Sequence, residues 1–190
     1  MKTIFVKYSN ERSDAFAIRT EICLENSKKK VKKTPCSGKA ENHVRNIYRW
    51  YQELKKVYAK SGLKINRCDL VGSSVEMEYL EGQTLEEILD GHVERKEYDE
   101  LEQCLETYLA VLTEAAQEEF CPTEEFKKVF GVVPEFDHMK SAAVTDIDMV
   151  VNNILVCEEW NLIDYEWTFD FPIPVEYVVY RVLHYYFETT

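Results

Sequence analysis

Asp148, Asn153 and Asp164 lie in the run VTDIDMVVNNILVCEEWNLIDYEW (Val144–Trp167), which is otherwise rich in aliphatic and aromatic residues. Carboxylates and amides set in so apolar a segment cost free energy unless they are paired, hydrogen-bonded or bound to a metal. Asp148 and Asn153 are five positions apart, a distance that a loop folds onto one surface. NILVCE and WNLIDYEW read as two strands about a tight turn, with Asn153 opening one and Asp164 closing the other. Antiparallel pairing puts such ends side by side, so the three polar groups can converge. A hard cation such as magnesium takes one or two carboxylates, an amide oxygen, and otherwise water and phosphate oxygens. A carboxylate left off the metal can accept a proton from an alcohol. The bland alternative is a set of turns, which Asp and Asn also favour.

The elements that must position these groups follow from periodicity. TIFVKY and AFAIRTEICL flank the polar turn SNERSD and predict a hairpin; ENSKKK turns into a further strand around Val31–Lys33. Six lysines fall within Lys28–Lys39, for most of which a solvated hairpin tip is the simplest reading. Ala40, Val44, Ile47, Tyr48, Tyr51 and Leu54 share one face of a predicted helix from Ala40 to about Tyr58. Strands are expected around Arg67–Val71 and Ser74–Tyr79. TLEEILD has capping-box spacing at Thr84 and Glu87, and YDELEQCLETYLAVLTEAAQ aligns Leu101, Leu105, Tyr108, Leu109 and Leu112 as a second long helix. Phe120–Ala143 predicts short helix mixed with loop. PVEYVVYRVLHYYF predicts a last helix, with proline suited to its first turn.

With those elements in order, the residues carry a resemblance. DIDMVVNNILV is similar to the catalytic loop of the protein-kinase-like superfamily, in its small-molecule branch of aminoglycoside and choline kinases. There the pattern is an aspartate, four residues, an asparagine and an apolar strand. LIDYEW resembles the metal-binding segment of the same branch, and VEMEYLEGQTLEEIL its interlobe connector. Each segment alone is a weak signal; the three together, in the expected order, are specific. The resemblance spans almost the whole chain and extends to lipopolysaccharide-core sugar kinases and kinase-like domains of surface-glycan enzymes.

The resemblance implies a two-lobed α+β protein-kinase-like fold: an antiparallel-sheet N-lobe with one helix over residues 1–83, and a reduced helical C-lobe over 84–190. It implies ATP and Mg2+ as cofactors, with Asp148 as the catalytic base toward an acceptor hydroxyl and Asn153 and Asp164 as magnesium ligands. Lys33 would meet the phosphates and Glu41 would hold Lys33 by an ion pair, with Lys32 and Glu53 as open alternatives. Backbone groups of Glu78, Tyr79 and Leu80 would receive the adenine, beside a cleft near Glu78–Gln83. Asp146, where the family often has histidine, reads either as a supporting hydrogen-bonding group or as a turn residue. Trp160, Trp167 and the Tyr177–Phe187 aromatics read as core, and their density leaves room for a surface against a further domain.

Two features depart from the family. The hairpin FVKYSNERSDAFAIRTEI contains no glycine to bring backbone amides close to phosphate, and only 26 residues follow Asp164. An exposed FPIP and aromatic last helix would suit a piece of a longer glycan-modifying polypeptide. The expected activity is phosphoryl transfer from ATP to a hydroxyl of a sugar or surface-glycan precursor. The alternative is a pseudokinase-like nucleotide-binding or scaffolding domain of a glycan-assembly protein.

Composition bounds the remaining classes. The 190 residues are 45% hydrophobic and carry a formal net charge of −12, which disfavours nucleic acid and anionic membranes as general partners. No apolar run approaches a membrane span, and Met1–Tyr8 is too short for a signal peptide. Six scattered cysteines without a CxxC pair read as reduced thiols, and four dispersed histidines give no zinc pattern. A cytoplasmic protein with a small-molecule or glycan substrate is the expectation.

Overall fold

The computed structural model describes residues 2–131 and 138–189. The chain runs β1 (Lys2–Tyr8), β2 (Ile18–Glu25), β3 (Lys28–Pro35), α1 (Glu41–Val57), β4 (Leu63–Ile65), β5 (Cys68–Val71) and β6 (Ser74–Glu78). It continues through β7 (Gln83–Thr84), α2 (Leu85–Arg95), α3 (Tyr98–Ala115), β8 (Glu118–Glu119), α4 (Glu124–Phe130), β9 (Lys140–Ala142) and β10 (Thr145–Asp146). The last elements are β11 (Ile154–Val156), β12 (Trp160–Leu162), β13 (Thr168–Phe169), β14 (Ile173–Pro174) and α5 (Val175–Thr189). They form two compact units, Met1–Glu53 with Asn66–Glu81, and Leu54–Ile65 with Gly82–Thr190.

The first unit is built on an antiparallel five-stranded sheet in the order β1-β2-β3-β6-β5. Asn26 and Ser27 form the two-residue β2–β3 turn with φ of 50° and 64°. Positive φ at both central positions matches the twist of the flanking strands, which is why so tight a loop holds the register. Lys29 and Lys30 of the lysine run are tied by ion pairs, Lys29 to Glu81 at 2.7 Å and Lys30 to Glu76 at 3.2 Å. At these exposures such pairs contribute little to stability. α1 buries Val44, Ile47 and Trp50 at three- and four-residue spacing.

Within the second unit, the start of α2 is legible in sequence. The Thr84 side chain accepts from the Glu87 N–H at 3.1 Å, and the Glu87 carboxylate accepts from the Thr84 N–H at 2.9 Å. This reciprocal cap satisfies two donors that a helix start would otherwise leave open. α2 packs on α3, and α3 on α5. A four-stranded sheet in the order β4-β12-β11-β7 joins β11 and β12 as the expected antiparallel hairpin, with β4 parallel to β12.

FPIP is not exposed: Phe171 and Ile173 are buried in a cluster with Phe120 and Phe126. Burying each such side chain stabilises the fold by about 1.5–3 kcal/mol. The aromatics of the last helix are not all core, since Tyr180 is 58% and Phe187 69% exposed while Tyr186 is buried. A helix of 15 residues presents its aromatics all round, and only the side toward its neighbours loses water. Within Phe120–Ala143, α4 is the expected short helix, and residues 132–137 lie outside the described residues.

Candidate active site

Asp148, Asn153 and Asp164 lie within the second unit. Asp146 ends β10, paired in register with Thr168 of β13, and the chain leaves that ladder through Ile147, whose N–H donates to Trp167 O at 3.1 Å. Asp148 follows, then a 3-10 turn over Val151–Asn153 that delivers the backbone into β11. Asp148 and Asn153 are thus brought together by one turn. The Asn153 side-chain nitrogen donates to the Asp148 carbonyl at 2.9 Å and to Asp148 Oδ2 at 3.3 Å.

Asp164 is placed by the β11–β12 ladder. Ile154 pairs with Leu162, and the Ile163 N–H donates to the Asn153 carbonyl at 3.0 Å, so residue 164 comes directly after the rung that Asn153 closes. Its carboxylate acts electrostatically on both Asp148 and Asp146. One turn and one hairpin end thus gather Asp148, Asn153 and Asp164 in a single region of the chain.

Two residues that sequence reasoning missed complete the loop. Arg181 of α5 donates from Nε to the Ile147 carbonyl at 2.7 Å and from Nη2 to Asp148 Oδ1 at 3.2 Å. Tyr108 of α3 donates its buried hydroxyl to the Met149 carbonyl. Three successive carbonyls, of Ile147, Asp148 and Met149, are each held by a side-chain donor, from α5, the 3-10 turn and α3. Buried carbonyls of an irregular loop need such partners, because no strand or helix ladder supplies them. The available signal for Arg181 was a lone cation among the apolar and aromatic positions of VEYVVYRVLHYYF.

The electrostatics separate the carboxyl groups. Burial pushes the Asp148 carboxyl up and the Asp164 charge adds to this, opposed by the Arg181 guanidinium and the Asn153 amide. Asp146 is fully buried; burial drives its carboxyl well above the usual range, against the N–H it accepts from Asp148. That N–H reaches Asp146 Oδ1 at 3.1 Å, so Asp146 is an internal support of the loop and not only a turn former.

The donor chemistry fits a magnesium ion shared with phosphate. Asn153 spends its nitrogen on Asp148, leaving its amide oxygen as the atom available to a ligand. Among the described residues, no three His, Cys, Asp or Glu side chains are grouped to enclose a metal by themselves. Magnesium bound by one carboxylate, one amide and phosphate oxygens needs no such cage.

The remaining candidates lie in the first unit. Lys33, in β3 between Thr20 of β2 and Val75 of β6, is only 5% exposed. Glu41 is exposed in the first turn of α1, where a negative charge suits the helix dipole, whereas Glu53 is half-buried near its other end. The Glu78 N–H donates to Arg67 O at 3.4 Å and its carbonyl accepts from Asn66 Nδ2 at 3.0 Å. Tyr79 and Leu80 are half-buried.

With this geometry in place, the fold is similar to that of solved aminoglycoside phosphotransferases. The chain is similar to APH(2'')-IIa, solved as a ternary complex with streptomycin and ATP, with a TM-score of 0.55 and 13% identity over 97% of this chain and 79% of that one. It is similar to the ADP-bound aminoglycoside phosphotransferase APH(2'')-Ib, with a TM-score of 0.54 and 14% identity over 98% of this chain and 78% of that one. No family model matches the sequence. No curated protein matches it in sequence either.

Proposed function

We propose that the chain is an ATP- and magnesium-dependent phosphotransferase acting on a hydroxyl of a small molecule, with a sugar or surface-glycan precursor as the favoured acceptor class. The observation that carries this reading is the closure of Asp148, Asn153 and Asp164 around one turn and one hairpin end, on a fold shared with phosphotransferases. Asn153 Oδ1 and the Asp164 carboxylate would hold Mg2+ on the nucleotide phosphates, where the ion offsets their negative charge.

Asp148 orients the acceptor hydroxyl and takes its proton as the oxygen bonds to the γ-phosphorus. The bond from that phosphorus to the bridging oxygen breaks, and ADP leaves with the electron pair. A base whose carboxyl is raised by burial is better matched to an alcohol proton than an ordinary surface aspartate. Lys33 and the backbone of Tyr79 and Leu80 carry over as the nucleotide-binding candidates of the first unit. Burial favours Glu53 over Glu41 as a partner for so buried a lysine, because an exposed carboxylate gains little by pairing.

The test is turnover of labelled ATP with a panel of hydroxylated sugars, comparing wild type with Asp148→Ala and Asp164→Asn. Loss in both variants is the expected result, and equal turnover in all three rejects the assignment. A second reading, a nucleotide-binding or scaffolding domain without turnover, is favoured by the glycine-free β1–β2 connection. Thermal stabilisation by ATP and magnesium without phosphoryl transfer to any acceptor or to water is the result that selects it.

A further inference from the structure

We infer that Arg181 is a positioning residue for the proposed base: the last helix of the chain sets the orientation of the Asp148 carboxylate through it. The inference rests on the phosphotransferase reading and adds to it a residue outside the loop and hairpin that define the site.

The geometry carries the argument. Arg181 uses two faces of its guanidinium at once, Nε on the Ile147 carbonyl at 2.7 Å and Nη2 on Asp148 Oδ1 at 3.2 Å. Asp148 Oδ2 meanwhile accepts from Asn153 at 3.3 Å, so each carboxylate oxygen has its own donor and the group is held in one rotamer. The peptide before Asp148 is fixed by the same side chain that fixes its carboxylate. The pair is 33 residues apart in sequence and mostly buried, with side-chain exposures of 18% for Arg181 and 29% for Asp148. The guanidinium is itself located by α5, lying over the Tyr185 ring at 4.8 Å from its centroid.

Only arginine fits this role. A planar fork with donors on separate nitrogens can hold a carbonyl and a carboxylate together, whereas a lysine ammonium is a point donor on a flexible stem. Without the fork, Asp148 keeps the repulsion of Asp164 but loses the cation that offsets it, and its carboxylate is free to turn. Misplacing a reacting group by about an ångström costs on the order of 10²-fold in rate.

The experiment measures ATP hydrolysis with water as acceptor, and ATP–magnesium thermal shift, for wild type, Arg181→Lys, Arg181→Ala, Asp148→Asn and the Arg181→Ala/Asp148→Asn double variant. Both Arg181 variants are expected to lose roughly 10²-fold in kcat while keeping the wild-type nucleotide shift and KM for ATP. Millimolar methylguanidinium should restore part of the Arg181→Ala rate, and the double variant should be no slower than Asp148→Asn alone, because Arg181 acts only through Asp148. Wild-type turnover in Arg181→Ala, losses that multiply in the double variant, or a nucleotide shift lost together with activity would each overturn the inference while leaving the phosphotransferase reading intact. A wild-type chain that neither binds nor hydrolyses ATP overturns both. Arg181→Lys, which keeps the charge and the stem, serves the same comparisons if Arg181→Ala does not fold.

Discussion

Asp146 accepts the backbone N–H of Asp148 through Oδ1 at 3.1 Å while its own carboxyl is fully buried and its second oxygen has no hydrogen-bond partner among the described residues. Burial raises this carboxyl, so the folded state holds its proton more tightly than the unfolded chain does. The stability it contributes is therefore complete below the unfolded value, near about 4, and is lost as pH rises through the higher folded value. Asp146→Asn keeps the acceptor oxygen and removes the titration. The melting temperature of the variant should gain on wild type steadily as pH goes from 4 to 8; a constant offset would show that the carboxyl titrates normally.

Burial raises both Asp146 and Asp148, and the charge of Asp164 adds to each. Asp164→Asn should leave the protein without added ligand as stable as wild type or more so at neutral pH and, on the phosphotransferase reading, abolish the stabilisation expected from ATP and magnesium. That increment amounts to about 2.7 kcal/mol when ligand exceeds its dissociation constant a hundredfold. Thermal shifts with and without nucleotide separate the two effects. A variant stabilised by ATP–magnesium as strongly as wild type would remove Asp164 from the metal site.

The Tyr108 hydroxyl holds the Met149 carbonyl within the core of the second unit, and burial raises its ionisation well above the ordinary value, so it stays a donor throughout the accessible pH range. Tyr108→Phe leaves the ring packing and strands that carbonyl. A cost of about 1–3 kcal/mol in urea unfolding is expected, together with reduced turnover. Unchanged stability would mean that water takes the place of the hydroxyl.

Gly82 sits where a Cβ would come within 2.8 Å of the Val156 carbonyl oxygen and 2.9 Å of Cys157 Sγ. The carbonyl belongs to β11, which is paired on both sides by β7 and β12 and cannot retreat without disturbing the hairpin that ends at Asp164. Gly82→Ala should destabilise by about 1–3 kcal/mol, as overpacking of a fixed interior does, and denaturant unfolding reads it directly. Full stability would show that the β7–β11 ladder yields.

The sequence alone determined what depends on neighbours a few residues away. The Thr84–Glu87 cap, the Leu-lined face of α3, the turn within ENSKKK and the β11–β12 hairpin all follow from local hydrogen bonding and periodicity. The spacing of Asp148, Asn153 and Asp164 is legible for the same reason: one turn and one hairpin bring them together. Tertiary structure decided the rest. β4 joins β12 in parallel, which no local turn can specify. FPIP is buried because Phe120 and Phe126 pack on it, while Tyr180 and Phe187 stay exposed on a helix whose aromatic residues fall on every side. Arg181 reaches Asp148 only because α5 folds back across 33 residues, and a hydrogen bond between side chains so far apart leaves no periodic trace in the chain.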